Sequence, residues 1–185
     1  MFLLADTGGT NTRLALADAS GIREDTVQSV RNTDFSGFQQ VIDGYLAGQP
    51  EIDLTACCFA FAGPVRGRAP RLTNLNWQID AERLEQHLGA RVVLMNDLEA
   101  MGRAIPGLAS ADLQPVTNSQ RDEANGQILA VGLGTGMNVC AVKTGADASV
   151  EVWACEYGHS PLPASLHVEM TAAGLDMAQY SSVEH

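Results

Sequence analysis

A chain of 185 residues with 22 acidic against 11 basic side chains and a formal net charge of −11 is long enough to bury a real core. That balance argues against nucleic acid and anionic membrane as partners, since both reward clustered Lys and Arg, and no basic run occurs anywhere. The N-terminus enters an apolar strand directly, without signal-peptide character, and no apolar run reaches membrane length. Cys57, Cys58, Cys140 and Cys155 lie in apolar segments without metal-site spacing, and read as buried, reduced core residues of a cytoplasmic protein.

The first eighteen residues read as strand, tight turn, strand, with two apolar runs around Asp6-Thr7-Gly8-Gly9-Thr10-Asn11. Gly8 and Gly9 can take positive φ and let a ligand approach the main chain. Several N–H groups and the Thr7 and Thr10 hydroxyls then converge on one anion, phosphate being the obvious guest. Asp6 beside a phosphate calls for a cation such as Mg²⁺ between the two. The alternative is a plain glycine turn with a solvated Asp.

Further along, Thr26 to Arg31 alternates like a third strand. Ser36 is placed to cap a helix from about Gly37 to Leu46 with Phe38, Val41, Ile42 and Tyr45 on one face. The apolar run Leu54 to Ala62 predicts a strand buried on both sides, ended by Gly63-Pro64. Arg66, Arg68 and Arg71 read as a solvated loop more readily than as a phosphate grip. Asp80 caps a helix through about His87 that Gly89 closes, and Val92 to Met95 is a short strand stopping at Asn96-Asp97. A helix from Leu98 to Ile105 follows, ended by Pro106-Gly107. Alternating strands and helices predict a mostly parallel sheet with ligands at its carboxyl edge, where Asp97 falls.

Residues 1–110 are therefore read as a small α/β lobe, 111–127 as a linker and 128–185 as the incomplete start of a larger α/β lobe. Ile128 to Val142 repeats the opening theme around Gly134-Thr135-Gly136, an internal echo of the first hairpin. Val150 to Ala154 is a further strand, the segment from Cys155 to His159 turns, and Leu166 to Tyr180 reads as a helix weakened by Gly174.

Two Gly/Thr turns flanking a strand-end carboxylate point to phosphoryl transfer, in which positioning and charge neutralisation supply most of the rate and one base orients the attacking hydroxyl. Asp97 is the best placed candidate base. It also precedes an apolar-periodic segment as a helix cap would, and the two roles are compatible. Glu156 and His159 offer the mix of acceptor and donor that reads vicinal hydroxyls, or they are a surface pair in a loop. Zinc there would need another ligand nearby.

At this point the chain resembles the bacterial ATP-dependent glucokinases of the sugar kinase, hsp70 and actin superfamily. The likeness is carried by Asp6 through Leu16, Thr73-Asn74-Leu75-Asn76-Trp77, Leu94 through Ala100, Gly132-Leu133-Gly134-Thr135-Gly136 and Glu156-Tyr157-Gly158-His159. It implies a ribonuclease H-like, actin-like ATPase fold, with a mixed five-stranded sheet, flanking helices and an incomplete second lobe. The activity implied is phosphorylation of glucose by ATP to glucose 6-phosphate, the first step of glycolysis. Asp97 would be the general base for the sugar 6-hydroxyl, with Asn76, Asn96, Glu156, His159 and Glu184 holding the sugar. Thr7, Gly8, Gly9, Thr10 and Asn11 would face the ATP phosphates from one side and Gly134, Thr135 and Gly136 from the other, with Asp6 near Mg²⁺, through water.

Three departures from the family pattern stand out. Tyr157 occupies a position usually filled by glycine, Asn138 stands where the second turn often carries another glycine, and the chain stops at His185 where family members run about as far again. Segment 128–185 is accordingly expected to expose apolar surface, to pair with another chain or to be partly disordered, and a dimer or larger assembly is expected. A non-catalytic sugar-binding or regulatory protein, or an inactive fragment on the same scaffold, is the reading from another class. Against the regulatory branch, the chain starts at the phosphate hairpin and lacks a cysteine-rich zinc motif.

Overall fold

The apolar runs flanking the first glycine pair fold onto each other. In the computed structural model β1 (Phe2–Thr7) pairs antiparallel with β2 (Asn11–Asp18), in register from Phe2 opposite Ala17 to Thr7 opposite Thr12. The structure describes residues 1–70, 72, 75–116, 125–133, 137–155, 160–161 and 163–175. It divides into two compact units, Met1–Asp97 and Leu98–His185.

In the first unit, β3 (Gly21–Ile22) and β4 (Gln28–Arg31) both pair antiparallel with β2, at opposite ends of it. On the other side of β1, β5 (Ala56–Phe61) is parallel to β1 and β6 (Arg91–Asn96) is parallel to β5. The sheet thus holds six strands, in the order β3-β2-β1-β5-β6 with β4 also on β2. The strand beyond the five expected is β3, whose two residues are too few to show any period. The third strand begins at Gln28 rather than Thr26, because the Thr26 hydroxyl leaves the ladder role and accepts the Leu16 N–H at 2.9 Å.

Helix α1 (Phe38–Ala47) buries Phe38, Val41, Ile42 and Tyr45, the face its spacing predicts. Its cap differs from expectation: Gly37 is the N-cap, with no side-chain cap bond, and Gln40 Oε1 instead accepts the Ser36 N–H at 2.9 Å. A Gln at this position can reach back to the chain entering the helix, which relieves Ser36 of the task. Helix α2 (Ala81–Leu88) is capped as its sequence says, Asp80 accepting from the Glu82 and Arg83 N–H groups and Gly89 closing it at φ 64°. Phe38 stands at the centre of the core, its ring edge-on to Phe59 and Phe61 at centroid distances of 5.0 and 4.9 Å. Each such pair adds about 0.5–1.5 kcal/mol beyond simple burial.

The second unit contains β7 (Gln127–Leu133), β8 (Met137–Thr144) and β9 (Val150–Cys155) in an antiparallel sheet, with α4 (Ala164–Ala172) after it. Helix α3 (Asp97–Ala104) begins at the last residue of the first unit. Its Leu98 packs with Ala130, Cys140 and Val142 of the sheet. On the opposite sheet face Leu129, Ala141 and Trp153 stand in one cross-strand row. Leu129 and Trp153 there are 64% and 54% exposed, and Leu133 is 79% exposed. The apolar exposure expected of this segment is therefore present. Cys155 corrects the reading of all four cysteines as buried: Cys57 and Cys140 are, but Cys155 is exposed at the end of the edge strand β9. Gly174, at φ 82°, lies just past α4, and the expected continuation to Tyr180 lies outside the described residues. Among the described residues no helix is long and apolar enough to cross a membrane.

Candidate functional site

Parallel pairing of three strands aligns their carboxyl ends. Thr7 of β1 lies opposite Phe61 of β5, and Phe61 opposite Asn96 of β6, so Thr7 and Asn96 share one row across the sheet. Two strand spacings separate them, about 10 Å. The next residue on each side begins the site: Gly8 opens the β1–β2 turn, and Asp97, half-buried, opens α3 with no loop between strand and helix. The strand-end turn and the candidate base therefore sit on one edge of one sheet, inside one unit.

Alternation along β1 sends Thr7 inward and Asp6 outward, where Arg13 is its cross-strand neighbour. Gly8 is not in the left-handed region, and a Cβ built on it would meet only the Asn11 carbonyl oxygen, at 3.7 Å. The freedom to take positive φ that the sequence offers at Gly8 is not used in this turn. Neither backbone strain nor internal crowding calls for glycine there, and the missing side chain leaves open space at the turn. Gly9, Thr10 and Asn11 are exposed. The hairpin closes through Gly8 N–H to the Asn11 carbonyl at 3.0 Å.

Beneath the turn lies a buried polar cluster that sequence reasoning missed. Thr7, Thr12 and Asn32 are all buried. Asn32 Nδ2 donates to the Gly8 carbonyl at 2.8 Å, and the Thr12 hydroxyl donates to Asn32 Oδ1 at 2.7 Å. Thr7 and Thr12 hydroxyl oxygens are 3.3 Å apart, and since the Thr12 proton goes to Asn32, Thr7 is the donor in that pair. No local pattern announces Asn32, which opens a single 3₁₀ turn (Asn32–Asp34) directly after β4 in a polar stretch.

Asn96 is buried and its Nδ2 donates to the Gly63 carbonyl at 2.9 Å. Asn76 is exposed, beside the buried Trp77. Glu156, His159, Glu184, Gly134, Thr135 and Gly136 lie outside the described residues, although Leu133 and Met137, on either side of the second turn, face each other across β7 and β8. Asn138 Oδ1, in β8 one residue past Met137, is buried without a hydrogen-bond partner among the described residues. Of the arginines in the 65–74 segment, Arg68 pairs with Glu82 and Glu85 of α2, a structural role that takes it out of phosphate binding. A cleft of about 400 Å³ bounded by Phe38, Pro70, Asp80 and Arg83 contains none of the candidate site residues.

A ββ hairpin continued by parallel strands in one mixed sheet gives the chain the actin-like ATPase fold. A hexokinase of the ROK type from Thermus thermophilus superposes with a TM-score of 0.57 at 19% identity, over 89% of this chain and 53% of that one, and shows the fold. A crystal structure of a glucokinase from an Antarctic psychrotroph superposes with a TM-score of 0.79 at 29% identity, over 99% of this chain and 59% of that one.

The chain belongs to the glucokinase family, whose model matches residues 3–184. The glucokinase of Synechocystis sp. (strain ATCC 27184 / PCC 6803 / Kazusa) is 34% identical over 172 residues, covering 85% of this chain and 48% of the relative. The chain thus spans about half the length of the relatives it matches.

Proposed function

We propose that this chain supplies the general base and the phosphate-facing glycine turns of an ATP-dependent glucokinase, which transfers a phosphoryl group from ATP to the 6-hydroxyl of glucose. The observation that carries the reading is the shared row of Thr7 and Asn96, which puts the glycine turn and Asp97 on the same sheet edge. In this reading Asp97 accepts the 6-hydroxyl proton, and Asn76, Asn96, Glu156, His159 and Glu184 hold and orient the sugar. Thr7 to Asn11 are assigned to the ATP phosphates, as are Gly134 to Gly136.

The donor set fits Mg²⁺ better than a metal that needs an all-protein cage. Asp6 is an exposed carboxylate at the turn, and among the described residues no group of three or more His, Cys, Asp and Glu is gathered. Mg²⁺ keeps several waters and uses one or two carboxylates besides substrate phosphates, so Asp6 would hold it through water. Bound there it supplies neutralisation of phosphate charge; the proton transfer and the positioning belong to the chain's own residues.

The test is a coupled assay for glucose 6-phosphate with Mg²⁺-ATP, alongside glucose titration by calorimetry. Asp97→Asn is expected to lower turnover by about 10²- to 10⁴-fold while leaving glucose binding measurable. Turnover retained in that variant sinks the assignment of the base.

A further inference from the structure

The β1–β2 turn is held from beneath by one residue, at two points. Asn32 donates from its side chain to the Gly8 carbonyl at 2.8 Å and from its backbone N–H to the Thr10 carbonyl at 2.8 Å. A carbonyl oxygen can only accept, so the nitrogen end of the amide must face Gly8. The Thr12 hydroxyl on the oxygen end locks the same orientation. Asn32 is 2% exposed, which leaves these bonds no water to compete with them.

The consequence follows from the peptide unit itself. Each peptide is planar and trans, so the C=O of one residue and the N–H of the next point in opposite directions. Drawing the Gly8 carbonyl down toward Asn32 turns the Gly9 N–H away from the buried Thr7–Thr12–Asn32 side, toward the face that carries Asp6. Drawing the Thr10 carbonyl toward Asn32 likewise turns the Asn11 N–H into the mouth of the hairpin, where the Asn11 carbonyl already takes the Gly8 N–H. Without the amide the Gly8 peptide is free to rotate, and with no side chain on either Gly8 or Gly9 the barrier to that rotation is low.

We propose that Asn32 is a positioning residue for the phosphate-facing turn: it sets the Gly8 and Thr10 peptides so that backbone N–H groups are presented to a nucleoside triphosphate. The assignment rests on the functional reading above and touches no ligand directly; it acts through the Gly8–Gly9 peptide.

Two measurements on the 185-residue chain test it. In the nucleotide-free chain, amide hydrogen exchange across Gly8 to Asn11 is compared between wild type and Asn32→Ala, together with thermal melting. Calorimetric titration with Mg²⁺-ATP and with glucose follows. Asn32→Ala is expected to speed exchange at the turn and to weaken Mg²⁺-ATP binding about tenfold, with glucose affinity unchanged. Thr12→Val, which removes the hydroxyl orienting the amide, gives the same selective loss to a smaller extent and serves as the second variant should Asn32→Ala unfold. Equal Mg²⁺-ATP binding in wild type and variants overturns this assignment and leaves the functional reading intact. A parallel loss of glucose affinity overturns it too, as the mark of general unfolding. A wild-type chain that binds no Mg²⁺-ATP overturns both together.

Discussion

Asn96 donates its Nδ2 hydrogen to the Gly63 carbonyl at 2.9 Å, tying the last residue of β6 to the chain just beyond β5. Gly63 has φ 98°, a conformation that glycine adopts readily. Removing the donor from a partly buried acceptor loses a bond that a fully buried acceptor would miss by about 1–3 kcal/mol, so that range is an upper limit here. Asn96→Ala should lower stability by up to that amount in urea denaturation. Asn96→Asp should do at least as badly, because it turns a carboxylate toward the carbonyl. An unchanged midpoint for both would show that the bond contributes nothing.

Gly102, inside α3, has no room for a side chain. A Cβ there would lie 2.6 Å from Cys140 Sγ, 2.9 Å from Val152 Cγ1 and 3.1 Å from Val142 Cγ2. Gly102→Ala gains up to about 1 kcal/mol of helix propensity. Overpacking of about 1–3 kcal/mol opposes it, since the clashing atoms stand on two paired strands and have little room to retreat. The second unit should melt at lower temperature in this variant. A higher melting temperature would show that the helix can shift off the sheet.

Glu85 should contribute to acid sensitivity. Its carboxylate accepts the Val92 N–H at 3.0 Å and pairs with Arg68, and these two partners, the Val92 bond first, hold its pKa below the usual glutamate value. A carboxyl lowered on folding contributes stability that is whole above its unfolded pKa of about 4.3 and drains away as pH falls through the lower folded value. Wild type should therefore lose stability below about pH 4.3 more steeply than Glu85→Gln. Identical pH profiles would remove Glu85 from the account.

Thiol labelling separates the cysteines. Burial raises the Cys140 thiol and pushes Cys57 up to about 11, so neither offers much thiolate at neutral pH. Cys155 is exposed. A thiol-reactive probe on the native chain should modify Cys155 first, with Cys57 and Cys140 following only in denaturant. Prompt labelling of Cys140 would mean that the face under α3 opens readily.

Where a signal is local, residue order alone was enough. Two apolar runs around Gly8-Gly9 predicted the β1–β2 hairpin, and Asp80 and Gly89 marked the ends of α2, because these features depend on neighbours within a few positions. The resemblance motifs, Asp6 to Leu16 among them, identified the family for the same reason, each being a short contiguous stretch. Ser36 misled because two local caps competed, and Gln40 reached back to its N–H. Tertiary structure alone decided the rest. Alternation says which residues of β9 share a face but not which face is covered, so Cys155 read as core and proved exposed. The row joining Thr7 to Asn96 depends on parallel pairing through β5, and Asn32 reaches Gly8 across 24 positions of sequence. Pairings of that separation are chosen by packing and by the need to satisfy buried polar groups, neither of which leaves a periodic mark on the chain.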